Sequence, residues 1–245
     1  MLYFQMFNRK PRGDWHLTSV EEVLERLREK ANPANLEGMK RYGMTVERRL
    51  GVSVPAMREM AKDLGKNHAL ALELWGTGLA EGKILASMVD EPDKLTEAQM
   101  DSWVMGFDSW DVCDQVCMNL FEKSPLAWKK MTEWSIREEV FVKRAAFALV
   151  ACLAWHSKTA KDEDFVGVFP ILKSGAVDER NFVKKAVNWA LRNLGKRNLR
   201  LNKAAVDLAK ELKRMDSKAA KWIGSDADRE LESEAVQKRL RKKPA

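Results

Sequence analysis

The stretch EEVFVKRAAFALVACLAW, residues 138–155, is the part of the sequence that says most about the fold. Its first turns carry charged residues, whereas its second half, the eleven residues AAFALVACLAW (145–155), is almost wholly apolar. A helix with apolar residues on every side is typical of a protein core, and this run is too short to cross a bilayer. The stretch therefore predicts a buried central helix.

The segments on both sides of this stretch have the apolar spacing of amphipathic helices, and none alternates as a strand does. We expect about a dozen helices joined by short polar turns, the first beginning with a capping box formed by Thr18 and Glu21. The predicted fold class is therefore all-α. Successive helix pairs of a few tens of residues indicate stacked hairpins, which form an α-solenoid of HEAT-like type.

The 245 residues are enough for one large domain with a sizeable core. Residues 1–5, MLYFQ, look like the remnant of a cleavable tag and are left out of the fold prediction. We expect a single solenoid domain over residues 6–235. Residues 236–245 are rich in Lys and Arg and are predicted to form a basic C-terminal tail.

Positive charge is concentrated in one part of the chain. The net charge is +7, but residues 180–214 alone hold eleven Lys and Arg against two acids, so the remainder sums to −2. A concentrated positive region is typical of proteins that bind a polyanion. The alternative is a solvated helix face, which a charge run alone favours.

The cysteines and the absent motifs exclude several classes of protein. Three cysteines form no disulfide framework and indicate a reducing, cytoplasmic setting. A zinc site built from Cys113, Cys117 and His156 is an alternative, but buried core cysteines are the favoured interpretation. The sequence contains no GxxxxGK[ST], GxSxG or HExxH motif, so no cofactor or metal is expected.

A tryptophan and an acid stand together in DSWDVCDQVC, residues 108–117. On a helix, Trp110 and Asp114 are four residues apart and share a face. A carboxylate near a helix N-terminus is favoured by the helix dipole, which explains Asp111 well. That explanation covers Asp114 less well, because this residue lies one turn further in.

Another tryptophan stands among cations. On a helix over residues 178–196, spacings of four, three and four residues put one aromatic and three cationic side chains in a narrow stripe. These residues are Lys185, Trp189, Arg192 and Lys196. Such a stripe is typical of nucleic-acid surfaces, because stacking is combined with phosphate neutralisation. A tryptophan in a helix–helix groove, with cations extended around it, explains the pattern equally well.

Four segments, in this order, resemble the DNA alkylation repair glycosylases of the AlkD family. They are YGMTVERRLGVSVPAMREMAK (42–62), SWDVCD (109–114), VKRAAF (142–147) and KKAVNWALRNLGKR (184–197). The similarity extends over roughly residues 42–231. It implies a right-handed solenoid of HEAT-like repeats whose concave, basic face holds duplex DNA. It also implies excision of positively charged N3- and N7-alkylated purines without a metal or cofactor and without conventional base flipping.

The resemblance assigns roles to particular residues. It implies that Asp114 is the catalytic carboxylate and that Trp110 and Trp189 contact the lesion. It also implies that Arg144 contacts DNA. We expect the neighbouring Lys143, and the three cations of the stripe (Lys185, Arg192 and Lys196), to bind DNA as well.

Three functions fit these residues: a glycosylase for cationic alkylpurines, a non-catalytic binder of duplex or branched DNA, and a HEAT-like scaffold for protein partners. The glycosylase is favoured, because a scaffold needs neither an acid beside Trp110 nor a tryptophan within a cationic stripe. A solenoid that embraces duplex DNA would work as a monomer.

Overall fold

The computed structural model describes residues 18–242, and every regular element within that range is helical. The all-α prediction is therefore confirmed. The helices are α1 (Val20–Glu29), α2 (Pro33–Arg41), α3 (Val54–Leu64), α4 (His68–Gly76), α5 (Ala80–Val89), α6 (Glu97–Met105), α7 (Trp110–Asn119), α8 (Ala127–Ser135), α9 (Val140–His156), α10 (Asp162–Val166), α11 (Phe169–Gly175), α12 (Asn181–Gly195), α13 (Leu199–Leu212), α14 (Lys218–Leu231) and α15 (Glu234–Arg241). Two short 3-10 turns, Pro92–Lys94 and Phe121–Lys123, precede α6 and α8.

Helix α9 lies at the centre of the core, where residues 138–155 predicted a buried helix. Every side chain from residue 145 to residue 154 is buried, and five of these ten residues are alanine. Such small side chains allow neighbouring helices to approach closely. Helices α7, α8 and α12 all pack against α9.

The helices form two layers. One layer is a row of helices in which each contacts the next: α3, α5, α7, α9, α12 and α14. The other layer includes α4, which packs on α5, α8, which packs on α9, and α13, which packs on both α12 and α14. This arrangement is that of stacked helical hairpins. It brings α7, α9 and α12 next to one another in a single row.

The first helix begins one residue later than the sequence predicted. The N-cap is Ser19, whose hydroxyl accepts a hydrogen bond from the Glu22 amide at 3.2 Å, while Glu22 accepts one from the Ser19 amide at 3.0 Å. The predicted capping box of Thr18 and Glu21 was therefore wrong by one position. The observed start turns Val23 and Leu27 towards the core, where both are fully buried.

The C-terminal helix α15 runs across the predicted boundary between residues 235 and 236. Val236 and Leu240 are buried. The Gln237 amide donates hydrogen bonds to Asn202 Oδ1 at 3.0 Å and to the Leu231 carbonyl at 2.8 Å. The first part of the predicted tail is therefore a packed helix. The predicted tag remnant, residues 1–5, lies outside the described residues.

All three cysteines are buried, which confirms that they are core residues. The Sγ atoms of Cys113 and Cys117 lie 3.7 and 3.8 Å from the carbonyl oxygens of Phe141 and Ala145 on α9. Burial raises the pKa of the Cys117 and Cys152 thiols. Among residues 18–242, no group of three or more His, Cys, Asp or Glu side chains could hold a metal ion. In the same range, no helix has the length and apolar character needed to span a membrane.

Candidate functional site

The row of helices brings the predicted catalytic residues around one cavity, which we call the site cavity. It has a volume of about 300 Å³, and Trp110 and Asp114 from α7 and Trp189 from α12 all line it. Much of the remaining wall is apolar and includes four methionines: Met39, Met44, Met57 and Met118. Methionine side chains are flexible and polarizable, so this wall can adapt to the shape of a bound group.

Asp114 is held in the site cavity by a two-pronged ion pair with Arg144. Arg144 Nε and Nη2 donate to the two carboxylate oxygens of Asp114 at 2.9 and 2.7 Å. Arg144 Nη1 donates to the Phe182 carbonyl at 2.7 Å, which connects α7, α9 and the start of α12. The side chains of Arg144 and Asp114 are only 7% and 14% exposed. A buried carboxylate requires such a partner, because leaving it unpaired would cost several kcal/mol, roughly 3–5.

The charge of Asp114 is set by two opposing effects. Burial raises the pKa of this carboxyl above its ordinary value, and the nearby charge of Asp111 adds a smaller rise. The positive charge and hydrogen bonds of Arg144 lower it. Burial is the larger effect, so the pKa of Asp114 is raised while Arg144 opposes the rise.

Asp111, the other acid of the WDVCD segment, has a separate structural role. Arg49 donates to both of its carboxylate oxygens, at 2.6 and 3.0 Å. The Ser109 hydroxyl donates to it at 2.5 Å. Arg49 also donates to the Thr45 carbonyl at 2.9 Å, so these contacts hold the segment before α3 against the start of α7. Sequence reasoning missed Arg49, because its partner lies 62 positions away and no local pattern links the two.

Trp110 is the first residue of α7, and its ring is fixed from two sides. The indole N–H donates to the Tyr42 carbonyl at 3.1 Å. The Arg144 guanidinium carbon lies 5.9 Å from the centre of the ring. This distance is within cation–π range. The Trp110 ring and the Asp114 carboxylate therefore both contact Arg144. This agrees with their predicted position on one face of the helix.

Trp189 is partly buried and packs against the core, yet it lines two cavities. One is the site cavity. The other lies between α9, α12 and α15. The indole of Trp189 thus sits against neighbouring helices and still reaches open space, and its contact with nucleic acid stays a prediction.

Most of the cations predicted to bind DNA already have acidic partners. Lys143 lies 3.2 Å from Asp178, and Lys196 lies 2.8 Å from Glu230. Arg192 pairs with Glu230 and lies 3.4 Å from Asp226. These pairs neutralise much of the stripe, because α14 supplies Asp226 and Glu230.

Lys185 differs from the other predicted DNA-binding cations. Its side chain is exposed, and it has no hydrogen bond or ion pair with any residue between 18 and 242. DNA contact by Lys143, Arg144, Lys185, Arg192 and Lys196 stays a prediction.

Comparison with known proteins gives a family match over most of the chain. A family model described as "DNA alkylation repair enzyme" matches residues 23–223. No curated protein sequence matches the chain.

A solved structure is also similar to the chain. It is described as "A new family of proteins related to the HEAT-like repeat DNA glycosylases with affinity for branched DNA structures". It aligns with a TM-score of 0.73 at 21% sequence identity and covers 87% of this chain and 95% of its own. This likeness confirms the predicted HEAT-like repeat fold.

Proposed function

Because the chain belongs to the DNA alkylation repair enzyme family, we propose that it is a DNA glycosylase for positively charged N3- and N7-alkylated purines in duplex DNA. The reaction is hydrolysis of the N-glycosidic bond. The observation that carries the proposal is that Asp114, Trp110 and Trp189 line one cavity in which the carboxylate is largely shielded from water.

The proposed chemistry needs only these side chains. An alkylated purine with a formal positive charge leaves as a neutral base when its glycosidic bond breaks, so no general acid has to protonate it. The sugar then carries positive charge, which the Asp114 carboxylate stabilises while it orients the attacking water. Water adds to the sugar carbon and its proton passes to solvent or to the carboxylate.

The two tryptophans give the proposed enzyme its selectivity. The face of an indole ring attracts a cationic base through its quadrupole, by about 0.5–2 kcal/mol per contact. A neutral damaged base lacks this attraction and is also a poorer leaving group. We therefore expect cationic lesions to be released much faster than neutral ones.

In this proposal Arg144 is a positioning residue that keeps Asp114 ionised and oriented before DNA binds. Each nitrogen of its guanidinium donates one hydrogen bond, two to Asp114 and one to the Phe182 carbonyl. A DNA phosphate that reaches Arg144 would compete with Asp114 for the same donors, since guanidinium binds both anions in the same forked geometry. Such an exchange would release the carboxylate towards the sugar.

A second function, a non-catalytic binder of duplex or branched DNA, is favoured by one specific observation. The similar solved structure is described as having affinity for branched DNA. This function would use the same helices and the same cations, but the pairing of Asp114 with Arg144 would then be purely structural. The first proposal, the glycosylase, includes that the protein acts on alkylated duplex DNA as a monomer.

The deciding experiment is single-turnover release of 7-methylguanine from a duplex oligonucleotide by the wild type and by Asp114→Asn. The glycosylase proposal predicts release by the wild type and a loss of at least about 100-fold in the variant, with DNA binding retained. Asp108→Asn is the matched control, because Asp108 is exposed and lies just before the same helix. Salt-sensitive DNA binding by a wild type that releases no base would instead support the binder.

A further inference from the structure

A second cavity, of about 370 Å³, adjoins the site cavity at Trp189. We call it the side cavity. Its wall combines the rings of Trp155 and Trp189 with the cationic side chains of Lys196, Arg197 and Arg239. Its volume is within the range of about 300–1,000 Å³ that is usual for sites of small ligands. No role for it follows from the chemistry proposed above.

We propose that the side cavity binds an unpaired nucleotide of a DNA strand, with the base against Trp155 and the phosphate beside Arg239. This inference rests on the proposed function, because the strand must first be bound at the neighbouring site cavity. It adds a second, separate contact that distinguishes branched or frayed DNA from a fully paired duplex.

The first observation that supports it is the exposure of Trp155. Its side chain is 65% exposed, although large aromatic side chains are normally well covered. The ring stacks on His156, with centroids 4.6 Å apart and planes at 26°. His156 is in turn held by Glu122 at 2.8 Å. The indole is thus a supported, flat, accessible surface, which is what a nucleobase requires for stacking.

The second observation is the charge of the wall. The side cavity is lined by three cations, of which Lys196 is paired with Glu230, and, among the described residues, by no acid. Arg239 is exposed and has no hydrogen-bonding or ionic partner for its side chain among residues 18–242. Arg197 is oriented by the carbonyls of Ala154 and Ala160, at 3.0 and 2.9 Å. A ligand for this wall should therefore carry negative charge as well as a flat apolar face.

A nucleotide has both properties. The position of the side cavity favours a nucleotide within a DNA strand over a free nucleotide. Trp189 lines both cavities, so a strand at the site cavity can deliver an adjoining unpaired nucleotide without leaving the protein. A free nucleotide would have the same chemistry but would gain nothing from the site cavity. The two sources can be distinguished by experiment.

The test compares a forked duplex, which has a short unpaired arm, with a fully paired duplex of the same number of phosphates. Equal phosphate numbers keep the non-specific electrostatic attraction alike. Trp155→Ala should weaken binding of the forked duplex by about tenfold, as expected for loss of one stacked base. It should leave binding of the paired duplex unchanged. Trp155→Phe, which keeps a ring, should retain most of the preference.

Two control variants separate the side cavity from general effects. Arg239→Ala should reduce binding of the forked duplex more than Lys238→Ala, which removes a charge from the same helix but outside the side cavity. Trp222→Ala should have no effect on the preference, because Trp222 is a 42% exposed tryptophan on α14 that does not line the side cavity.

Each outcome has a distinct meaning. Equal loss on both duplexes, or no loss in Trp155→Ala, overturns the side-cavity proposal while DNA binding and base release still stand. Binding of free deoxyadenosine monophosphate that is lost in Trp155→Ala, without any preference for forked DNA, overturns it in favour of a site for free nucleotides. If the wild type binds no DNA, both the proposed function and the side-cavity proposal are overturned.

Discussion

At the scale of single residues, the burial of Asp114 predicts how base release depends on pH. Only the ionised carboxylate can stabilise the positive sugar, and burial raises the pKa of Asp114 above the ordinary 3.8. The rate constant should therefore rise with pH through this raised pKa and reach a plateau above it. Single-turnover release of 7-methylguanine, corrected for release without protein, measures the profile. An acid limb centred in the ordinary aspartate range would contradict the raised pKa.

The pKa of Asp178 is shifted in the opposite direction to that of Asp114, and this shift predicts how the stability of the fold depends on pH. Hydrogen bonds from Arg180, with further contributions from Lys143, lower the pKa of Asp178 to about 2 from 3.8. This lowered pKa contributes stability that is present above about pH 4 and is lost as pH falls towards 2. Asp178→Asn should therefore lower the free energy of unfolding at neutral pH, and its deficit should shrink on acidification.

Denaturant unfolding at several pH values measures this effect. Asp93→Asn is the control, because Asp93 is an exposed aspartate without an ion-pair partner among the described residues. A deficit of Asp178→Asn that stays constant down to pH 2 would mean that packing, not charge, is what the substitution disturbs.

Sequence reasoning reached some of these contacts and could not reach others. Helical spacing was enough to put Trp110 and Asp114 on one face, since that relation is local. The pairing of Asp114 with Arg144 depends on how two helices 30 positions apart pack, which no local pattern contains. The first N-cap shows the same limit, because TSVEE fits a capping box in two registers and only the buried positions of Val23 and Leu27 select one.

At the scale of helices, Gly175 tests how tightly α11 packs on α9. A Cβ atom at this position would lie 2.2 Å from Cζ of Phe147, whose ring is fully buried, so that the ring or the helix must shift. Gly175→Ala should therefore destabilise the protein by about 1–3 kcal/mol through overpacking. Gly38→Ala in α2 is the matched control, since its Cβ would meet nothing within 4 Å. That control should be neutral or stabilising by up to about 1 kcal/mol.

Thermal or denaturant unfolding of both variants decides the point. Equal stability of the two would show that α11 moves away from α9 at little cost.

The helices that the sequence predicted well are those with a long apolar pattern. The buried segment at residues 138–155 became α9, and the segment at 178–196 became α12, with small shifts at their ends. Residues 236–241 of α15 were predicted as part of a basic tail, because this part of the sequence is rich in Lys and Arg. Only two of its apolar residues, Val236 and Leu240, become buried, and they depend on a neighbouring surface that the sequence does not reveal.

At the scale of the whole molecule, the acids of α14 reduce the positive charge that α12 presents. Glu230 pairs with both Arg192 and Lys196. Glu230→Gln should therefore free positive charge on α12 and tighten DNA binding a few-fold. The salt dependence of binding should steepen by about 0.9 for each further phosphate that the protein neutralises. Binding isotherms at several salt concentrations measure both effects.

Asp207→Asn provides the control for this prediction. It makes the same change in net charge at an exposed pair with Lys203 on α13. An equal increase in affinity in both variants would show that net charge alone is responsible and that the α12 stripe has no special part in binding.

The charge pattern also shows what composition can and cannot predict. Residues 180–214 contain eleven cationic residues and only two acidic ones. Its acidic partners on α14 follow later in the chain, at residues 226 and 230, and meet α12 only because the hairpins stack. The fold class could thus be predicted from local patterns, whereas the acidic partners that neutralise the cations of α12 could not.

The shared position of Trp189 gives the two cavities a thermodynamic link. A ligand that holds this ring in one orientation removes side-chain freedom, and a second ligand on the other side then meets a ring already ordered. Occupancy of either cavity must change the affinity of the other by the same factor, because such coupling is reciprocal. Under the two proposals made above, one tryptophan would therefore let the structure of the DNA beside a lesion change the affinity for the lesion itself.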